Sequence, residues 1–145
     1  HSLVRAGVEN ILVLNGHGGN VKPMMRRIDE YKEKLNINLR FQSYWDVYDP
    51  DLVQQHMENG RLPGHADEYE TSTMLYLAPE RVQTEAIDNP AAALGTREKG
   101  EALIGPAIAG VTQLVEQMIN GEEIDLPTVT FMPEGKRNLV TGEAV

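Results

Sequence analysis

The sequence predicts an α/β fold, a three-layer α/β/α arrangement around a mostly parallel sheet. Three observations point to it. Asn10-Ile11-Leu12-Val13-Leu14-Asn15 is a short apolar run between polar residues, the pattern of a strand buried on both faces of a parallel sheet. A glycine-rich turn, Gly16-His17-Gly18-Gly19-Asn20, follows at once, and a helical pattern follows the turn. A second strand and further helices come after, as expected where helices cover a sheet.

The elements follow in order. Ser2-Leu3-Val4-Arg5-Ala6-Gly7 reads as the last turn of a helix stopped by Gly7, because glycine accepts the left-handed C-cap. After the glycine turn, Asn20 is placed to cap a helix starting near Val21, with Pro23 tolerated in its first turn. There Met24, Ile28, Tyr31 and Leu35 share one face, and Arg26, Arg27, Glu30, Lys32 and Glu33 cover the rest. Residues 38–47 form a second strand, with Leu39, Phe41, Ser43 and Trp45 alternating against polar neighbours, until Asp49-Pro50 breaks it. A short helix is expected over 51–58, a loop over 59–64, and a helix over 68–77 closed by Pro79. The longest helical pattern covers 96–120 and ends at Gly121, with a kink expected at Pro106. Residues 122–145 read as a loop-like tail with one apolar stretch, 129–132, so the chain divides into 1–121 and 122–145.

Composition narrows the function. The 145 residues suit one domain. Twenty-two acidic against 13 basic residues give a net charge of −9, which argues against nucleic-acid and acidic-membrane partners. The absence of cysteine excludes thiolate catalysis and cysteine-ligated metals, and it suits a cytoplasmic location. No continuous apolar run approaches the roughly 18 residues of a membrane span. The chain opens on His1, a residue with no evident role, inside a helix-like stretch without a signal peptide. It therefore reads as part of a longer domain.

Two clusters carry chemistry. His17 sits in a glycine turn at the carboxyl end of a strand, where open α/β sheets bind ligands. The turn has neither a dinucleotide fingerprint nor an ATP loop, so its imidazole reads as a metal ligand or base, against the plainer reading of a surface turn. His65-Ala66-Asp67-Glu68-Tyr69-Glu70 adds a histidine and carboxylates, the ligand set of hydrolytic zinc, manganese or iron. If the helix begins near Asp67, Glu70 lies one turn in and can point back to the loop bearing His65. Asp67 and Glu68 are better read as first-turn acids favouring the helix dipole. Trp45 reads as core, with Asp46 and Tyr48 as candidate pocket walls, and His56 reads as a solvated surface residue. Ser72 has no nucleophile elbow around it.

Taken together, Ile11-Leu12-Val13-Leu14-Asn15-Gly16-His17-Gly18-Gly19-Asn20 and His65-Ala66-Asp67-Glu68-Tyr69-Glu70-Thr71-Ser72 resemble the creatininase family of creatinine amidohydrolases and their relatives. Met74-Leu75-Tyr76-Leu77-Ala78-Pro79-Glu80-Arg81-Val82 and Thr96-Arg97-Glu98-Lys99-Gly100 fit as well, and the likeness spans about residues 1 to 120. It makes 1–121 the C-terminal part of such a domain, with the N-terminal part of the sheet missing. The resemblance implies a metal-dependent hydrolase of C–N bonds in small amides or cyclic amides, commonly a homo-oligomer. It implies a two-metal centre, zinc foremost with manganese or iron as alternatives. By motif, His17 and Glu70 would be metal ligands, His65 a catalytic histidine, and Gly18, Gly19 and Asn20 substrate contacts. Creatininase proper carries tyrosine and a ligating glutamate where Gly18 and Gly19 stand. Creatinine is therefore not the expected substrate, and Glu70 would take the missing ligand's place. Family ligands from an N-terminal segment have no counterpart in this chain. The other reading is a non-catalytic α/β module that binds a phosphate or sugar at the glycine loop.

Overall fold

The computed structural model describes residues 2–145; His1 lies outside them. A four-residue helix, α1 (Ser2–Arg5), ends at Gly7 with φ +83°, as the glycine stop predicts. Strand β1 (Asn10–Asn15) then pairs in parallel with β2 (Asn38–Ser43), Asn10 opposite Asn38 and Asn15 opposite Ser43. Side chains alternate across such a pair, so Ile11, Val13, Leu39 and Phe41 share one face. That face packs on Val21 and Met24 of α2 (Val21–Met25) and on Ile28 and Leu35 of α3 (Ile28–Leu35). The opposite face carries Asn38, whose amide donates to the Met118 carbonyl at the end of α6 (Arg97–Asn120). Helices therefore cover both faces, and the fold is α/β with three layers.

Several expectations change in detail. β1 is not buried on both faces: Ile11, Leu12 and Val13 are half-buried and Leu14 is 50% exposed. Only β2 pairs with it among the described residues, so one edge of β1 carries no strand. The helix expected from Val21 is interrupted at Arg27, where the backbone leaves helical geometry (φ −124°, ψ −6°). Asn36, at φ +49°, provides the left-handed stop of α3.

Strand β2 ends at Ser43, four residues earlier than its alternation predicts. Asp46 is the reason. Its buried carboxylate reaches back to accept from Ser43 N–H (2.8 Å) and the Gln42 amide (2.7 Å), and it also accepts from Val129 N–H (2.8 Å). Asp46 is therefore a turn-maker rather than a pocket wall. The turn swings Trp45 into the core, where its indole N–H donates to the Val129 carbonyl (3.0 Å). Around it gather Tyr48, Val53 of α4 (Pro50–His56), Leu62, Tyr69 of α5 (Glu68–Leu77), Leu103 of α6 and Phe131. His56 closes α4 and is half-buried.

The segment expected as a loop-like tail supplies part of this core. β3 (Val129–Met132) and β4 (Gly135–Asn138) form an antiparallel hairpin, with Val129 and Phe131 fully buried. Leu62 and Phe131 exchange backbone hydrogen bonds and fix the hairpin to the loop before α5. α6 runs through Pro106 as one helix and crosses α5 closely at Gly100, where a Cβ would stand 2.1 Å from the Ser72 carbonyl oxygen. By length and hydropathy alone α6 is long and apolar enough to cross a membrane, which a count of continuous apolar runs does not register. In the fold it packs on α5 and β1.

Asp46 yields a stability prediction. Asp46→Asn turns one acceptor into a donor facing an N–H, so the variant is expected to lose about 2–3 kcal/mol in urea unfolding. Burial pushes the Asp46 carboxyl up to about 6 from 3.8, against the pull of the Val129, Ser43 and Gln42 donors. The contribution of this raised group is therefore complete below the unfolded value and lost as pH rises through about 6. Between pH 7 and pH 5 the gap between wild type and Asp46→Asn should widen; a gap that shrinks contradicts the assignment.

Candidate functional site

The glycine turn is built around Asn15, the last residue of β1 and 4% exposed. Its amide hydrogens go to the His17 carbonyl (3.0 Å) and Ser43 Oγ (2.9 Å). Its Oδ1 accepts from His17 N–H (3.2 Å) and from the Asn20 side chain (3.1 Å). Every donor and acceptor of this amide is thus used. His17, not Asn20, caps the short 3₁₀ turn Gly18–Asn20: its Nδ1 accepts from Gly19 N–H (3.2 Å). Asn20 stands before α2 but makes no capping bond: its backbone is already helical (φ −79°, ψ −21°) rather than extended, and its Nδ2 donates to Asn15. A Cβ at Gly19 would stand 2.9 Å from His17 Cε1, so only glycine lets the ring lie there.

The second cluster is anchored by a residue the sequence placed in a solvated first turn. Glu68 is fully buried. Its carboxylate accepts from Glu58 N–H (2.8 Å), Asn59 N–H (2.8 Å) and Lys99 Nζ (2.6 Å). Lys99 also reaches Glu58 (2.8 Å) and the Leu94 carbonyl (2.8 Å), so one ion-pair network joins the 57–59 loop, α5 and the first turn of α6. Asp67 caps α5 through Tyr69 N–H (3.2 Å). Glu70 points back as the spacing predicts, accepting from Ala66 N–H. Ala66 sits at φ +45°, unusual for a residue with a Cβ, and its carbonyl is held by the Asn89 amide (3.1 Å). Ser72 is buried, donating to the Glu68 carbonyl and accepting from Thr96 N–H, a structural role.

The two loops meet. A Cβ at Gly18 would stand 2.8 Å from Pro63 Cγ, which packs the glycine turn on the loop before His65. Tyr44, just past β2, lies under Gly16 and stacks on Tyr69 with ring centroids 6.1 Å apart. Burial raises the Tyr44 pKa, and the nearby Glu70 charge adds to the rise. Tyr44 escaped the sequence reading because its alternation placed it on a strand. His17, just past the carboxyl end of β1, and His65 are exposed, and Glu70 is half-buried.

The donors present do not by themselves hold a metal. Among the described residues, no three histidine or carboxylate side chains converge as a ligand group, whereas hydrolytic zinc takes three. A neutral His17 accepting at Nδ1 carries its proton on Nε2, so ligation through either nitrogen displaces the Gly19 bond.

Replacing Asn15 by alanine leaves buried Ser43 Oγ without its partner and releases the exposed His17 and Asn20 groups to water, an expected cost of about 1–3 kcal/mol. Amide exchange at His17–Asn20 should quicken, while α6 stays protected; unchanged exchange in that turn contradicts the assignment. Lys99→Met strands the buried Glu68 charge and should cost about 3–5 kcal/mol in urea unfolding.

Similarity to known proteins agrees with the geometry. A family model, creatininase, described as creatinine amidohydrolase, matches residues 1–118. No curated protein matches the chain. A solved mutant creatininase superposes with a TM-score of 0.69 at 25% sequence identity, over 81% of this chain and 59% of that one. This chain thus spans about three-fifths of that relative's length. The match favours no phosphate- or sugar-binding module, and Gly19 N–H is already taken by His17. With the model matched across both clusters and most of its length, the chain belongs to the creatininase family.

Proposed function

We propose that this chain forms part of a hydrolase that cleaves C–N bonds in small amides or cyclic amides. The observation that carries the reading is the family match over residues 1–118, which includes both the His17 turn and the His65–Glu70 cluster. His65 would protonate the leaving nitrogen or stabilise the tetrahedral intermediate. Gly18, Gly19 and Asn20 would border the substrate, since the turn is tied down from beneath by Asn15. Creatinine is not the favoured substrate, because Gly19 lacks the side chain that creatininase proper carries there.

The reading includes a divalent metal requirement, zinc foremost and manganese or iron as alternatives, with two ions in a complete site. His17 and Glu70 are the two donors this chain would contribute. The remaining ligands would come from outside these 145 residues. A cytoplasmic homo-oligomer without nucleic-acid or membrane partners completes the proposal, in keeping with the net charge of −9 and the absence of cysteine.

Metal content and amide hydrolysis, measured on this chain and on an extended chain carrying the rest of a creatininase domain, test it. The 145-residue chain should hold no stoichiometric metal and release no ammonia or amine from small amides. The extended chain should do both, and His17→Ala within it should empty one metal position. Stoichiometric metal and turnover in the short chain would overturn the shared-site reading. Undiminished activity of the His17→Ala variant would overturn the ligand role.

A further inference from the structure

We propose that a cavity of about 600 Å³ between α5 and residues 81–92 receives an uncharged, apolar arm of the amide substrate. The inference rests on the C–N hydrolase reading, since Glu70 belongs both to the candidate site and to the cavity lining. The cavity arises because the chain turns back after α5, through the 3₁₀ turn Pro79–Arg81, and runs alongside the helix towards His65. Asn89 fastens the returning strand of chain: its amide donates to the Ala66 carbonyl while its Oδ1 accepts from Ala91 N–H. Behind that fastening Ala92 is buried. The end of the cavity nearest Glu70 is therefore preformed, and its volume is that of an ordinary small-molecule site.

The lining selects the ligand class. Met74 of α5, Val82 and Ile87 line it together, and the exposed surface inside the cavity is mostly apolar. The charged residues on it are of both signs, Arg81 with Glu70 and Asp88, so the lining favours neither an anion nor a cation. An alkyl or aryl substituent several carbons long buries the apolar wall while its amide group stays at Glu70. Met74, 39% exposed on a folded helix, is the side chain such an arm would cover.

The test uses formamide, butanamide and hexanamide as probes, read by the Met74 ε-methyl signal in NMR titrations of the chain. Hexanamide should shift that signal saturably, formamide should not, and affinity should rise about fourfold per buried methylene. Ile87→Trp fills the cavity and should weaken hexanamide about tenfold or more. Ala92→Leu, which narrows the same space, takes its place should the tryptophan variant lose its cooperative melt. Saturable binding that neither variant weakens would overturn the proposal, as would no shift with hexanamide. Because binding is read without turnover, hexanamide bound by an extended chain that never hydrolyses amides upholds the cavity and removes the hydrolase reading. Hydrolysis by the extended chain with no dependence on arm length removes the cavity.

Discussion

Asn15 stands where the parallel ladder of β1 and β2 stops, and its side-chain amide takes over the work of the backbone. A strand end leaves peptide groups without partners, and a buried unpaired group costs about 1–3 kcal/mol. Here one amide pairs with both the N–H and the carbonyl of His17, with Asn20, and with Ser43 across the sheet. The glycine turn cannot swing away without stranding several of these groups together. His17 is consequently held over Gly19, and the turn rests on Pro63 and Tyr44. The second loop depends on a different kind of force. There a buried carboxylate and one ammonium group, Glu68 and Lys99, gather three segments around the base of α5. A buried pair of this kind is screened little by salt. The candidate site is thus suspended between a neutral amide network and an ionic one.

Much of this was legible in the sequence, and the part that was not has physical causes. β1 and α5 fall on the residues their patterns indicate, because an apolar run between polar ends and a capped helix are local signals. The inward turn of Glu70 follows from helix geometry, and Trp45 is in the core. Residues 44–47 escaped because alternation cannot register that Asp46 will hold Ser43 and Val129 at once, a contact spanning 83 positions. The burial of Glu68 escaped for the same reason: its partner Lys99 lies 31 positions away. The hairpin after residue 122 is weakly patterned, yet Val129 and Phe131 find their place only once Leu62 is there to pair. Asn20 had the right chemistry for a cap and stands at the start of α2, but its backbone is already helical and its amide donates to Asn15 instead.

The same long-range logic bears on chemistry. Motif residues mark where ligands would come from, but they do not assemble a ligand group among the described residues. Gly19 explains part of this. Without a side chain it lets the His17 imidazole fold back onto the turn, turning a candidate ligand into a helix cap. Beyond Glu70 the fold provides a mostly apolar recess, with Arg81 and Asp88 among its lining residues.

Asn15 holds His17 in place as an Nδ1 acceptor for Gly19 N–H. Long-range ¹H–¹⁵N NMR of the His17 imidazole above its titration range tests it directly. The structure predicts a ring protonated at Nε2 and bare at Nδ1, with the two tautomers becoming mixed in Asn15→Ala. A ring protonated at Nδ1 in the wild-type chain, or one whose tautomer ignores the Asn15 substitution, would contradict it.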